Sequence, residues 1–270
     1  MNPDSPGKRT GQAVSLLALN GKRMFRLGRL VATSWMAALA ALVATSAAHA
    51  ATAPKPVPPD VVLSNETTST QWAYVARIAT IHLRPTTKSR AVTRLHWYTE
   101  DDFPEIYLLL GAHRDSRGRE WIKIRVPGRP NGRIGWVRRY ALGAFHMTHD
   151  QLVVNRERLR IYFYSDGQLI WSAPVAVGKP STPTPAGHFW IRERFKLTNP
   201  RSGYYPYAFG TADYSTLTEW ARGGVVGIHG PFYAPNEIPG HISHGCIRLR
   251  VSDDEWLGHH LNYGTPLLVV

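Results

Sequence analysis

The chain has 270 residues, 43% of them hydrophobic, which is room for one or two domains with a sizeable core. Its single cysteine excludes a disulfide within the chain. The net charge of +13 points to a polyanionic neighbourhood; no nucleic-acid-binding motif accompanies it, which leaves an acidic cell envelope and no nucleic-acid partner.

The first segment reads as an export signal. Residues 22–29 are basic, residues 30–47 are apolar and Ala-rich, and Ala48-His49-Ala50 is a small-x-small cleavage site with cutting expected before Ala51. Met24 is a second candidate start, and the apolar stretch also has the length of an uncleaved anchor. Residues 1–50 account for +5 of the charge and leave +8 on the remainder. An exported protein in the periplasm or cell wall is expected. Residues 51–70 follow as a linker, stiff where prolines 54, 56, 58 and 59 fix φ.

A first module is expected over residues 71–147. Its apolar runs at residues 74–77, 106–110, 121–124 and 134–137 are short and broken by turn residues, which suggests half-buried strands. A second module is expected over residues 148–270. Leu159, Ile161 and Phe163 alternate on one strand face, Asp166-Gly167 marks a hairpin turn, and residues 168–177 supply the return strand. A Pro-rich loop spans residues 178–187. Strands are expected at residues 189–191, 225–228 and 267–270, with a short helix entered at Asp253 behind Ser252 as N-cap. The fold class is mainly β. The nine Trp and twelve Tyr fill core and interfaces or line a groove for sugar or peptide.

The lone Cys246 is an inert buried thiol, an intermolecular link or a reactive group. It lies in Ser243-His244-Gly245-Cys246-Ile247-Arg248, 17 residues after His229-Gly230, and these neighbours favour reactivity. A thiolate nucleophile needs a proton acceptor, and His229 can be that acceptor. Gly245 lets a carbonyl approach the N–H groups of residues 245 and 246, which suits a developing oxyanion. His229, His241, His244 and Cys246 resemble a zinc ligand set. Zinc would need all four to converge and would block the sulfur, so neither metal nor cofactor is expected.

These motifs carry a resemblance. The second module resembles the L,D-transpeptidase (YkuD) catalytic domain in its opening hairpin, Val177-Gly178-Lys179, the Thr182-Pro183-Thr184-Pro185 loop, Ile228-His229-Gly230, and residues 243–248. The first module resembles a bacterial SH3-like barrel through residues 78–85 and Gly135-Trp136-Val137. The resemblance implies an SH3-like small barrel followed by a YkuD-type β-sandwich. It implies a thioester formed on peptidoglycan tetrapeptide stems with loss of D-alanine, giving 3-3 cross-links. With water or a surface protein as acceptor the same domain is a carboxypeptidase or a tethering enzyme. Wall binding without turnover and another thiol enzyme, such as a sortase-like transpeptidase or a wall peptidase, are the competing readings. Residue by residue, Cys246 matches the nucleophile and His229 the base. Gly230 matches the residue whose carbonyl orients the imidazole, and His244, Gly245 and Cys246 match the oxyanion segment. Ser243 matches the hydroxyl residue opening the motif, and Arg248 matches a substrate-binding position, with an ion pair inside the fold as its alternative. Carbapenems are the implied inhibitors. Thirteen residues between His229 and Ser243 make a short covering loop for this family. Residues 204–209 fall near the groove by analogy.

Overall fold

In a computed structural model, residues 60–219, 221–230 and 235–270 are described; the expected leader and the Pro-rich part of the linker lie outside the described residues. The first half contributes β1 (Val61–Val62), β2 (Thr70–Val75), β3 (Thr80–His82), β4 (Ala91–Arg94), β5 (Ile106–Arg114), β6 (Glu120–Arg125), β7 (Ile134–Arg138) and β8 (Leu142–Thr148). They form one all-β sheet in the order β4-β3-β7-β6-β5-β2-β8, with β1 paired to β5. The segment read as linker thus ends in strand: Val61 and Val62 lie opposite Ala112 and Gly111. Ile81, Leu109, Ile122, Ile124 and Val137 meet inside this sheet, Ile122 and Ile124 as their alternation predicts.

The second half contributes β9 (Asp150–Asn155), β10 (Arg160–Ser165), β11 (Gln168–Pro174), β12 (Ala176–Gly178), β13 (Gly187–Trp190), β14 (Phe195–Lys196), β15 (Tyr207–Tyr214), β16 (Val225–His229), β17 (Gly240–Ser243), β18 (Ile247–Arg248), the helix α1 (Val251–His260) and β19 (Pro266–Val269). Two sheets result, β11-β10-β9-β19-β13 and β14-β15-β16-β18-β12-β17. Asp166 and Gly167 sit at φ 49° and 76°, so the β10–β11 turn is the primed type that matches strand twist.

Two expectations need correction. The return strand expected over residues 168–177 is split. Pro174 has no N–H to continue a ladder, and after it the chain leaves β10 for the other sheet as β12. The helix starts at Val251 with Arg250 at the N-cap and no side-chain cap, rather than behind Ser252. Asp253 and Asp254 fall in its first turn, where acids favour the helix dipole.

Both halves share a core. Trp72, Ile106 and Leu108 of the first sheet pack in one cluster with Leu152, Phe163, Trp190, Phe209 and Leu267. Arg192 is buried beside Glu105, which receives its Nε at 3.0 Å, and beside Glu100 at 3.1 Å.

Candidate active site

β18 runs parallel to β16, with Ile247 opposite Ile228 and Arg248 opposite His229. The turn before β18 therefore delivers Cys246 beside Gly227, whose N–H donates to Sγ at 3.4 Å. A Cβ on Gly227 would lie 4.0 Å from Sγ and 3.8 Å from Cδ2 of His229. Thiol and imidazole thus sit over the same glycine. They line a cavity of about 320 Å³ together with Tyr204, Ala208, Phe195 and Glu193.

His229 is buried, and its Nδ1 lies 2.6 Å from the Gly230 carbonyl. A carbonyl only accepts, so Nδ1 carries the hydrogen and Nε2 is left as the basic nitrogen. Burial pulls the His229 pKa down to about 4, against the Gly230 hydrogen bond, and the Arg248 charge adds to the lowering. Burial also pushes the Cys246 thiol up, opposed by the Gly227 N–H and by Arg248. The pair at rest is neutral thiol and neutral imidazole.

Gly230 is itself held in place. The Asp254 carboxyl, fully buried on α1, accepts the N–H of Gly230 and, at 2.8 Å, that of Tyr207. A Cβ on Gly230 would stand 1.8 Å from the Tyr205 carbonyl oxygen, so only glycine fits there.

The turn carrying Cys246 is tied internally. Ser243 Oγ donates to the Cys246 carbonyl at 2.5 Å and accepts the Gly245 N–H at 3.1 Å. Gly245 has φ 126°, a glycine conformation. Thr184 Oγ1 donates to the Gly245 carbonyl at 2.6 Å, and Thr182 Oγ1 to that of Ser243 at 3.2 Å. The Pro-rich loop is thus a clamp on the turn. Ser243 is fully buried and serves the turn, and its Oγ already takes the Gly245 N–H. The His244 side chain is exposed, with Nε2 at 3.4 Å from Lys179 Nζ. Arg248 reaches the pair through its charge. The Tyr204 ring stands edge-on to His229, with ring centroids 4.8 Å apart.

Sequence reasoning missed Asp254, the clamping role of Thr182 and Thr184, and Glu193. The Thr-Pro-Thr-Pro repeat was the signal for the clamp. Asp254 looked like an ordinary acid at a helix start.

Comparison with known proteins bears on this half. L,D-transpeptidase 1 of Mycobacterium tuberculosis is 30% identical over 112 residues, 39% of this chain and 44% of the relative. L,D-transpeptidase 2 of the same species is 28% identical over 110 residues, 39% of this chain and 27% of the relative. The match spans less than half the length of either. The solved catalytic domain of the Enterococcus faecium L,D-transpeptidase is 28% identical, covering 46% of this chain and 99% of that one, with a TM-score of 0.35. Residues 149–269, which hold the thiol, the imidazole and the Pro-rich clamp, match the model of the YkuD family, the L,D-transpeptidase catalytic domain.

Proposed function

We propose that the chain is an exported, cysteine-dependent peptidoglycan L,D-transpeptidase that forms 3-3 cross-links. The observation that carries this reading is the Cys246–His229 pair over Gly227, inside the span that matches the YkuD family. Nε2 of His229 takes the thiol proton as sulfur attacks the carbonyl carbon of the third stem residue. The N–H groups of Cys246 and His244 receive the oxyanion. The amide to the terminal D-alanine breaks, and the imidazolium returns its proton to the leaving amine. An amine of a second stem then attacks the thioester, gives its proton to His229, and frees the thiol. Arg248 suits a substrate carboxylate. The first module is proposed as an SH3-like element that positions the enzyme in the wall. A solved relative from Enterococcus faecium is acylated by ertapenem, and we propose that a carbapenem acylates Cys246 here.

The test is mass spectrometry of residues 51–270 with a disaccharide-tetrapeptide, beside Cys246→Ala. Loss of D-alanine with a dimeric product, in the intact protein alone, is the expected result. D-alanine loss without dimer indicates a carboxypeptidase. A folded Cys246→Ala protein with full turnover removes the thiol from the mechanism. Wall binding with no turnover in either protein favours a non-catalytic role.

A further inference from the structure

A row of four residues crosses the sheet under the cavity. Glu193 and Gly210 exchange both backbone hydrogen bonds, at 3.1 and 3.2 Å. Gly210 lies opposite Gly227 in the β15–β16 ladder. Gly227 donates its N–H to Cys246 Sγ. Directly opposed residues of adjacent antiparallel strands point to the same face. The face above the two glycines is therefore shared by the Glu193 carboxyl and the Cys246 thiol.

The two glycines leave this floor bare, and the end groups lean over it. A Cβ on Gly210 would fall 1.9 Å from Oε2 of Glu193, while one on Gly227 would fall 4.0 Å from Sγ. Carboxyl and sulfur thus stand over neighbouring strands, whose spacing is about 4.8 Å. Both residues line the same cavity.

Glu193 is 1% exposed, and among the described residues neither carboxyl oxygen makes a well-formed hydrogen bond. The Thr99 hydroxyl and the Arg192 charge partly offset its burial, but Arg192 is already shared by Glu105 and Glu100. A buried carboxyl facing a reactive cavity without a full set of donors fits a ligand that brings a cation.

We propose that Glu193 is a cation subsite of this active site, taking the primary ammonium on the side chain of a diamino third residue in the stem. The proposal rests on the transpeptidase reading and adds its specificity. An ammonium supplies up to three donors and one positive charge to the carboxylate. The same group belongs to the donor stem, which is being acylated, or to the acceptor stem, which attacks the thioester.

Two measurements test it. The first needs no turnover. The intact protein is titrated with 1,5-diaminopentane while the Gly210 and Gly227 amide resonances are followed. They are expected to shift with the diamine and not with 1-pentanol, and the shift is expected to vanish in Glu193→Gln. No shift in the unmodified protein, or the same shift in Glu193→Gln, overturns the subsite. The second uses stems. If the subsite takes the donor, Glu193→Gln slows first-turnover D-alanine release about tenfold. If it takes the acceptor, acylation keeps its rate and the ratio of dimer to hydrolysed tripeptide falls about tenfold. Unchanged acylation together with an unchanged ratio overturns the proposal. Absence of turnover in the unmodified protein counts against the transpeptidase reading, while the titration still decides the subsite.

Discussion

Cys246 and His229 rest without charge, and this sets how the thiol behaves towards a reagent that brings no active-site contacts. Burial holds the thiol above its ordinary 9.0 and the imidazole down at about 4, so proton transfer between them in the empty site is unfavourable. Alkylation of Cys246 by iodoacetamide is therefore expected to speed up with rising pH and to show no plateau below pH 9. His229→Ala is expected to leave that profile nearly unchanged while abolishing acyl transfer. A plateau near neutrality, lost in the variant, would reveal a preformed thiolate–imidazolium pair and sink this picture. At this scale the sequence was legible where chemistry is local. Cys246, His229 and Gly230 are named by short motifs. The inward direction of the Ser243 hydroxyl and the Gly245 N–H is not, because it depends on a φ of 126° and on threonines 61 residues away.

The helix α1 reaches the site through one side chain. Asp254 accepts the N–H groups of Gly230 and Tyr207, and burial raises its pKa from 3.8 to about 8. An acid whose folded pKa is raised holds its proton more tightly in the folded state. Its ionisation therefore destabilises the fold progressively as pH rises from 3.8 towards 8. Asp254→Asn keeps an acceptor oxygen for the two amides and removes that titration. Its midpoint temperature relative to the parent protein is expected to improve as pH rises from 4 to 8. A difference that stays constant across this range would show that the carboxyl does not titrate in it. Among the elements, β6 and β10 were legible because apolar residues alternate. β15 was not: Ala208, Gly210, Thr211 and Asp213 interrupt any alternation, yet all but Ala208 are buried because β16 pairs with one side of the strand and residues 191–193 bond to the other. The row from Glu193 to Cys246 was hidden for a related reason. It is assembled across separate strands and defined by two absent side chains.

At the scale of the whole molecule, the boundary expected near residue 148 separates sequences better than it separates structure. The first sheet sends a loop onto the end of β15 and the segment after it. Arg129 donates to the carbonyls of Ser215, at 2.6 Å, and Gly223, at 2.7 Å, and Asn131 bonds Asp213 and both backbone groups of Tyr214. Ser215 in turn closes against Gly245, where a Cβ would meet it at 3.0 Å. Beneath this contact lies the buried Arg192, whose charge is compensated by Glu105 and Glu100 from the first half. Glu105 is the fully buried partner and takes two hydrogen bonds from Arg192, while Glu100 at 3.1 Å still balances the charge when Glu105 is changed. Glu105→Gln is therefore expected to lower the unfolding free energy by about 1.5–3 kcal/mol, the worth of a hydrogen bond to a charged group. Because Trp72, Ile106 and Leu108 belong to the core of the second half, the loss is expected in a single transition seen alike by far-UV dichroism and tryptophan fluorescence. For the same reason residues 148–270 expressed alone are expected not to unfold cooperatively, since Arg192 would lose both carboxylates and the apolar face that covers Trp190. Two separate transitions in the intact protein, or a cooperative transition of the isolated second half, would show instead that the halves are independent domains.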